Sequence, residues 1–215
     1  MAYLPLITLV LINTALIPAQ AQDNLTTVLK RVEERYNSTK TLKSEFEQTM
    51  AVAQGRRVTE RGILYLRKPG QMRWEYSQPT GKLFLCDGKT IHYVTPSAKR
   101  VEVSPMKASD DLRAPLAFLL GKLDFARDFN RFEHSQSGPQ WKIKAYPKSA
   151  KSPYEYVEFF AEPDGRLSLV TVTGRDGSSM SYAFRSEQRN IPLAAELFQF
   201  KAPEGYDLVT LRSEP

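Results

Sequence analysis

Apolar residues recur along this chain with two periods, and the changes of period divide it. In the stretch 24–36, NLTTVLKRVEERY, Leu25, Val28, Leu29 and Val32 fall at i, i+3, i+4 and i+7. That spacing is one stripe of an amphipathic helix, and Asn24 stands where an N-cap belongs. From 42 to 104 the period becomes two. Leu42, Phe46, Met50 and Val52 share one face of a long strand. RGILYLRK, QMRWEYS, KLFLCDG, TIHYVTP and RVEVS read as further strands bounded by turn residues. Asp87-Gly88 between two of them predicts a hairpin with a type I′ turn. Residues 109–123, SDDLRAPLAFLLGKL, interrupt the alternation. There Leu112, Leu116, Leu119, Leu120 and Leu123 make a broad apolar face, Ser109 or Asp110 caps it, and Pro115 breaks or bends it. Strands resume in QWKIKAYP, YEYVEFFAEPDG, RLSLVTVTGRDG and SSMSYAFRSEQRN, and IPLAAELFQFKAPEGYDLV reads as a short helical turn with an extended end.

The pattern predicts a mainly β (α+β) chain of about ten or eleven antiparallel strands with two helical interruptions. No internal repeat or long linker divides it, so residues 22–215 are expected to be one domain. A long antiparallel meander must close into a barrel or have its edges and one face covered. Two helices are available for the covering. The apolar space so enclosed is either a filled core or a ligand cavity, and periodicity does not choose between them.

Residues 1–21, MAYLPLITLVLINTALIPAQA, carry no charged side chain and end in the small-x-small pattern Ala19-Gln20-Ala21. They read as a signal peptide cleaved before Gln22, although the n-region lacks Lys or Arg; the alternative is an uncleaved N-terminal anchor. The net charge is +6, without any Lys/Arg run. For an exported chain such a surface points to envelope partners, not nucleic acid. Cys86 is the sole cysteine, so no internal disulfide forms, and no cysteine follows the leader to carry a lipid. In KLFLCDG it reads as a small buried hydrophobe. His92 and His134 belong to no HExxH motif, and no GxSxG elbow or phosphate loop is present. Asp110-Asp111 suits a helix start better than paired catalysis. No catalytic residue, metal or cofactor is expected.

One stretch carries more information, LYLRKPGQMRWEYSQP at 64–79. Met72, Trp74 and Tyr76 alternate on one strand face, either as core or as the wall of a cavity for something greasy. Leu64 and Leu66 share the face of Lys68 on the preceding strand. Arg67, Lys68 and Arg73 crowd the Pro69-Gly70 turn.

Phe46 and Gln48 as F-x-Q, then KPGQMRWEYSQP, DGKTIHYVTP, APLAFLLG, EPDGRL and FQFKAPEGYDLV follow in this order. In this set the chain resembles the periplasmic outer-membrane lipoprotein carrier protein (LolA) family over nearly all of residues 22–215. The resemblance implies an unclosed antiparallel β-barrel with a helical lid over a hydrophobic cavity. It implies a periplasmic, monomeric carrier that shields the acyl chains of lipoproteins. Cargo would come from an inner-membrane lipoprotein-releasing ABC transporter complex and pass to an outer-membrane lipoprotein receptor. Leu64, Leu66, Met72 and Trp74 would line the cavity, and Leu116, Ala117, Leu119 and Leu120 would belong to the lid. Lys68 stands where the family commonly has an arginine that latches the lid; Arg73 is the other candidate, and both are alternatively solvated hairpin charges. His92 replaces an aromatic, which alters cavity or surface packing. The competing reading is a periplasmic binding or sensing module for other lipids or hydrophobic ligands.

Overall fold

A computed structural model of the chain describes residues 24–51, 56–106 and 123–211. The leader, Val52 and the apolar segment around Leu112, Pro115, Leu116, Ala117, Leu119 and Leu120 lie outside the described residues.

The first stripe forms α1 (Leu25–Asn37), capped as its sequence predicts: the Asn24 side chain accepts from the Thr27 amide at 2.9 Å. Val28, Val32 and Tyr36 are its buried residues. The alternating runs form β1 (Thr41–Ala51), β2 (Arg57–Arg67), β3 (Gln71–Gln78), β4 (Leu83–Asp87), β5 (Thr90–Thr95) and β6 (Arg100–Pro105). A single turn, α2 (Phe125–Asp128), leads to β7 (Phe129–Ser137), β8 (Gln140–Pro147), β9 (Tyr154–Ala161), β10 (Leu167–Gly174), β11 (Ser179–Arg189) and β12 (Asp207–Thr210). All twelve strands form one sheet in the order β12-β6-β5-β4-β3-β2-β1-β11-β10-β9-β8-β7. The order is linear, so the sheet stays unclosed. Every pairing is antiparallel except that of β12 with β6.

Twelve strands exceed the ten or eleven that alternation predicts. The addition is β7, which lies at the sheet edge and is exposed over most of its length, so it shows no apolar alternation. The β4–β5 hairpin also corrects an expectation. Gly88 alone has positive φ (+103°) there, which is the pattern of a type II′ turn and not of type I′. The Asp87 carboxylate satisfies the Lys89 and Thr90 amides, each at 2.8 Å.

One face of the sheet packs on α1. Leu42, Phe46, Leu64, Leu66, Met72, Trp74, Tyr76, Val157, Phe159, Val170, Tyr182 and Phe184 join Val28, Val32 and Tyr36 in a single buried cluster. Each fully buried large side chain contributes about 1.5–3 kcal/mol. Gly62 keeps this face continuous. It sits between Phe46 and Tyr76 in register, whose rings meet edge-on at 5.0 Å. A Cβ at Gly62 would run into the Glu75 carbonyl.

The end of α1 is held by a buried polar junction. The Tyr36 hydroxyl donates to Glu187 at 3.1 Å and accepts from the Leu167 amide at 3.0 Å. Arg35 donates to the same Glu187 from Nε at 3.1 Å and Nη2 at 2.6 Å.

The opposite face of β2–β6 is covered by residues 190–206, which travel from β11 to β12. This strap crosses the strands in turn: Asn190 bonds Thr41 on β1, Arg67 on β2 donates to Leu193 O, and Arg73 on β3 donates to Leu197 O at 3.3 Å. Arg67 also lies 4.9 Å from the Phe198 ring. On β5, His92 stacks on Phe200 at 4.2 Å and 14°. The His92 substitution therefore concerns packing on this outer face, not a cavity. Leu85, Val94, Val101 and Phe198 are buried, which explains why LFLC is apolar on both sides.

Replacing Tyr36 by Phe leaves the Leu167 amide and one Glu187 oxygen without their partner. It should lower stability by about 1–3 kcal/mol in urea unfolding. His92 supplies a pH test. Burial holds its imidazole below the ordinary 6.5, with Asp87 pulling the other way. The unfolded chain thus binds the proton first, and stability is lost as pH falls from 6.5 through the folded value. His92→Phe should flatten the stability–pH curve in that window; equal slopes in variant and parent would show that the ring titrates as it does in water.

Candidate functional site

Pairing register brings four of the sequence-predicted wall residues together. Met72 lies opposite Leu66 and Cys86, and Trp74 lies opposite Leu64 and Phe84. All four share the α1 side of the sheet, and Trp74 is 0% exposed. Its ring is 4.7 Å from Phe46, 5.3 Å from Tyr182 and 6.2 Å from Phe184. Its indole N–H points at the Met72 sulfur, 2.8 Å away. This is an aromatic and thioether surface with its polar atoms internally matched. Its chemistry suits apolar contacts and leaves no free donor or acceptor on the Trp74 indole. Cys86 is buried on the same wall, and burial pushes its thiol up from the ordinary range.

Lys68 sits in the β2–β3 turn, and its Nζ donates to the Tyr36 carbonyl at 2.8 Å. That carbonyl belongs to the last turn of α1, where helix acceptors lack helical partners and the dipole favours cations. Arg189 uses the same end, donating to Arg35 O at 3.2 Å. Burial lowers the Lys68 ammonium from its usual range. Any reach of Lys68 toward the apolar segment falls outside the described residues. Arg73, the other latch candidate, turns to the far face. There it holds the strap and Glu75 (2.8 Å). The cations at this turn therefore fasten two different segments to two different faces.

The roots of the apolar segment lie at the same end of the sheet. Where it leaves β6, the Met106 amide donates to Lys89 O at 2.9 Å. Where it returns, the Asn37 side chain grips the Leu123 backbone twice, accepting from its N–H and donating to its C=O, both at 2.8 Å. Glu33 accepts from the Phe125 amide at 2.6 Å. Sequence reading missed Glu33 and Asn37, because both look like exposed helix positions and their partners lie far along the chain.

Two recesses mark the two faces. An apolar one of about 20 Å³ lies beside the returning root, lined by Leu123, Phe125, Phe129, Val157, Phe159, Leu167 and Val170. A larger one of about 330 Å³ lies on the other side of β1 and β2, among Glu45, Glu47, Arg61, Ser77 and Arg185. Glu47 and Arg61 are paired there at 2.7 Å. Charged groups share its lining with Phe46, Gly62, Ile63 and Ala183, so hydrocarbon there would lie against the Glu47–Arg61 pair. Among the described residues no three His, Cys, Asp or Glu side chains gather as a metal site, and no helix is long and apolar enough to cross a membrane.

Known proteins have related sequences. The chain is 30% identical over 176 residues to an outer-membrane lipoprotein carrier protein of Methylobacillus flagellatus, covering 81% of this chain and 84% of that one. It is 31% identical over 175 residues to that of Dechloromonas aromatica, with coverage of 80% and 82%. Among solved structures, an uncharacterized conserved protein from Thermus thermophilus has the same fold. The TM-score is 0.52 at 12% identity, over 86% of this chain and 98% of that one. Residues 37–201 match the model of the family described as outer membrane lipoprotein carrier protein LolA, and the chain belongs to that family.

Proposed function

We propose that this protein is a periplasmic carrier that shields lipoprotein acyl chains against the α1 side of its sheet. It ferries lipoproteins from an inner-membrane releasing ABC transporter complex to an outer-membrane receptor. The observation that carries the reading is topological. β6 lies next to one edge of the unclosed sheet and β7 is the other edge. Residues 106–123, which include the leucine-rich stretch, are the sequence connection between these two strands. A leucine-rich connection between the edges of an open sheet with an aromatic face is suited to act as a lid. Asn37 and Glu33 fix one root of that lid to α1.

Magnitudes constrain how such a carrier works. A triacylated anchor has on the order of 40 methylenes, and about 0.8 kcal/mol each gives ~30 kcal/mol for removal from water. Non-covalent affinity saturates near ~20 kcal/mol. A carrier that realised the full gain would never release its cargo. The tightly packed Trp74 surface offers an answer, because cargo has to replace contacts that the empty protein already makes. Transfer then depends on small differences between membrane, carrier and receptor, and the carrier performs no covalent step.

Two outcomes test the reading. Incubation with spheroplasts bearing a tagged lipoprotein should release that lipoprotein into a soluble complex. The carrier recovered from the periplasm should have an intact mass that starts at Gln22. Lipoprotein that stays membrane-bound, or free lipid as the sole extractable ligand, would favour a module for other hydrophobic molecules. Met72→Glu should weaken release and acyl-dye binding by tenfold or more, since an unpaired buried carboxylate costs several kcal/mol.

The Lys68 tie is tested separately. Lys68→Ala removes a charged hydrogen bond of about 1.5–3 kcal/mol. Amides in the last turn of α1 should then exchange faster and an apolar dye should bind more. Lys68→Arg should restore both, and parental behaviour of Lys68→Ala would reduce the residue to a surface charge.

A further inference from the structure

Away from the lid roots, the α1 side of the sheet turns polar. Along β2 the residues on this face run Leu66, Leu64, Gly62 and then Glu60. Gln48 lies opposite Glu60 on β1. Both are buried, Glu60 at 7% and Gln48 at 3% exposure. Lys82 donates to Glu60 Oε1 at 2.7 Å, and its ammonium lies 4.6 Å from the Tyr76 ring. The Tyr76 hydroxyl donates to Gln48 Oε1 at 2.8 Å, and Gln48 Nε2 donates to Glu60 at 3.5 Å. A polar rung thus crosses β1, β2 and β3 and ends on Lys82, just before β4. A buried ion pair is weak evidence for stability, because apolar residues of similar volume often serve as well or better. Its place on an otherwise apolar face calls for another role.

We propose that Gln48, Glu60 and Lys82 form a floor that limits how far an acyl chain passes along this face. The three residues would then select for chain length. The inference rests on the carrier reading above. The lid roots lie at the opposite end of the strands, beside the 68–70 turn and the last turn of α1. From Leu66 to Glu60 the wall is six residues of β2, about 20 Å at roughly 3.4 Å per residue. That is the scale of an extended long-chain fatty acyl group. A methylene pushed past the rung would have to separate hydrogen-bonded charges, and the cost of an unpaired buried charge far exceeds the gain of one buried methylene. Gln48, the second residue of F-x-Q, acts as a positioning residue. Its amide is held by Tyr76 and orients the Glu60 carboxylate.

The test is displacement of an apolar fluorescent dye from the purified protein by saturated fatty acids of increasing length. In the parent, affinity should climb with each methylene and then level off. In Glu60→Leu/Lys82→Met the levelling should move to longer chains, with about tenfold tighter binding for each two further methylenes accommodated. The charge swap Glu60→Lys/Lys82→Glu should keep the parental cutoff. The same cutoff in the parent and the apolar double variant, or a moved cutoff in the charge swap, would overturn the floor. If the double variant does not unfold cooperatively, Glu60→Gln/Lys82→Met carries the test, since it removes both charges with little change of volume. Its cutoff should lengthen, and an unchanged cutoff would overturn the proposal. Fatty acids that fail to displace dye from any variant would instead remove the carrier reading, and the floor with it.

Discussion

The last turn of α1 is where the molecule is tied together. Within five residues, Glu33 holds the Phe125 amide, Arg35 and Tyr36 hold Glu187, and Asn37 holds Leu123. The carbonyls of Arg35 and Tyr36 receive Arg189 and Lys68. A helix C-terminus leaves its carbonyls without helical donors and carries partial negative charge. Two cations, Lys68 from the β2–β3 turn and Arg189 from β11, satisfy both needs at once. They also join the β2–β3 turn on one wing of the sheet to β11 on the other. An open sheet of this width has no barrel closure to fix its curvature, and this junction is a fixed point for both wings.

The second constraint is that the β2–β6 wing is covered on both faces. α1 packs on one, and the strap 190–206 crosses the other before β12 adds to the edge. The basic and aromatic residues around Pro69-Gly70 make sense in this two-sided setting. Trp74 and Tyr76 serve the α1 side. Arg67 and Arg73 serve the strap, and Lys68 reaches the helix. Alternation along a strand sorts neighbouring residues to opposite duties.

Much of this is legible in the sequence, and the rest is hidden for physical reasons. α1 and the interior strands announce themselves because half-buried elements must show their period. Leu64, Leu66, Met72 and Trp74 can be assigned to one face for the same reason. β7 gives no signal because this edge strand packs only Phe129 and Phe132 against the core and exposes nearly all the rest, so it shows no apolar alternation. The roles of Glu33, Asn37, Arg67 and Arg73 are invisible because each reaches a backbone group more than eighty residues away. Such acceptors carry no side-chain signature. Gln48 stands out within F-x-Q, but only the folded chain places it beside Glu60.

Cys86 lies on the wall beside Met72, buried and with its thiol held in the protonated form. A buried thiol is chemically silent until its surroundings part. Because it is the sole cysteine in the chain, alkylation at this one atom would act as a clock for the wall. When reclosing is fast, the observed rate is the intrinsic reaction rate multiplied by the fraction of time the wall stands open. When reclosing is slow, it becomes the opening rate itself. The sequence thus carries its own single-site reporter of breathing, on the wall proposed to receive acyl chains.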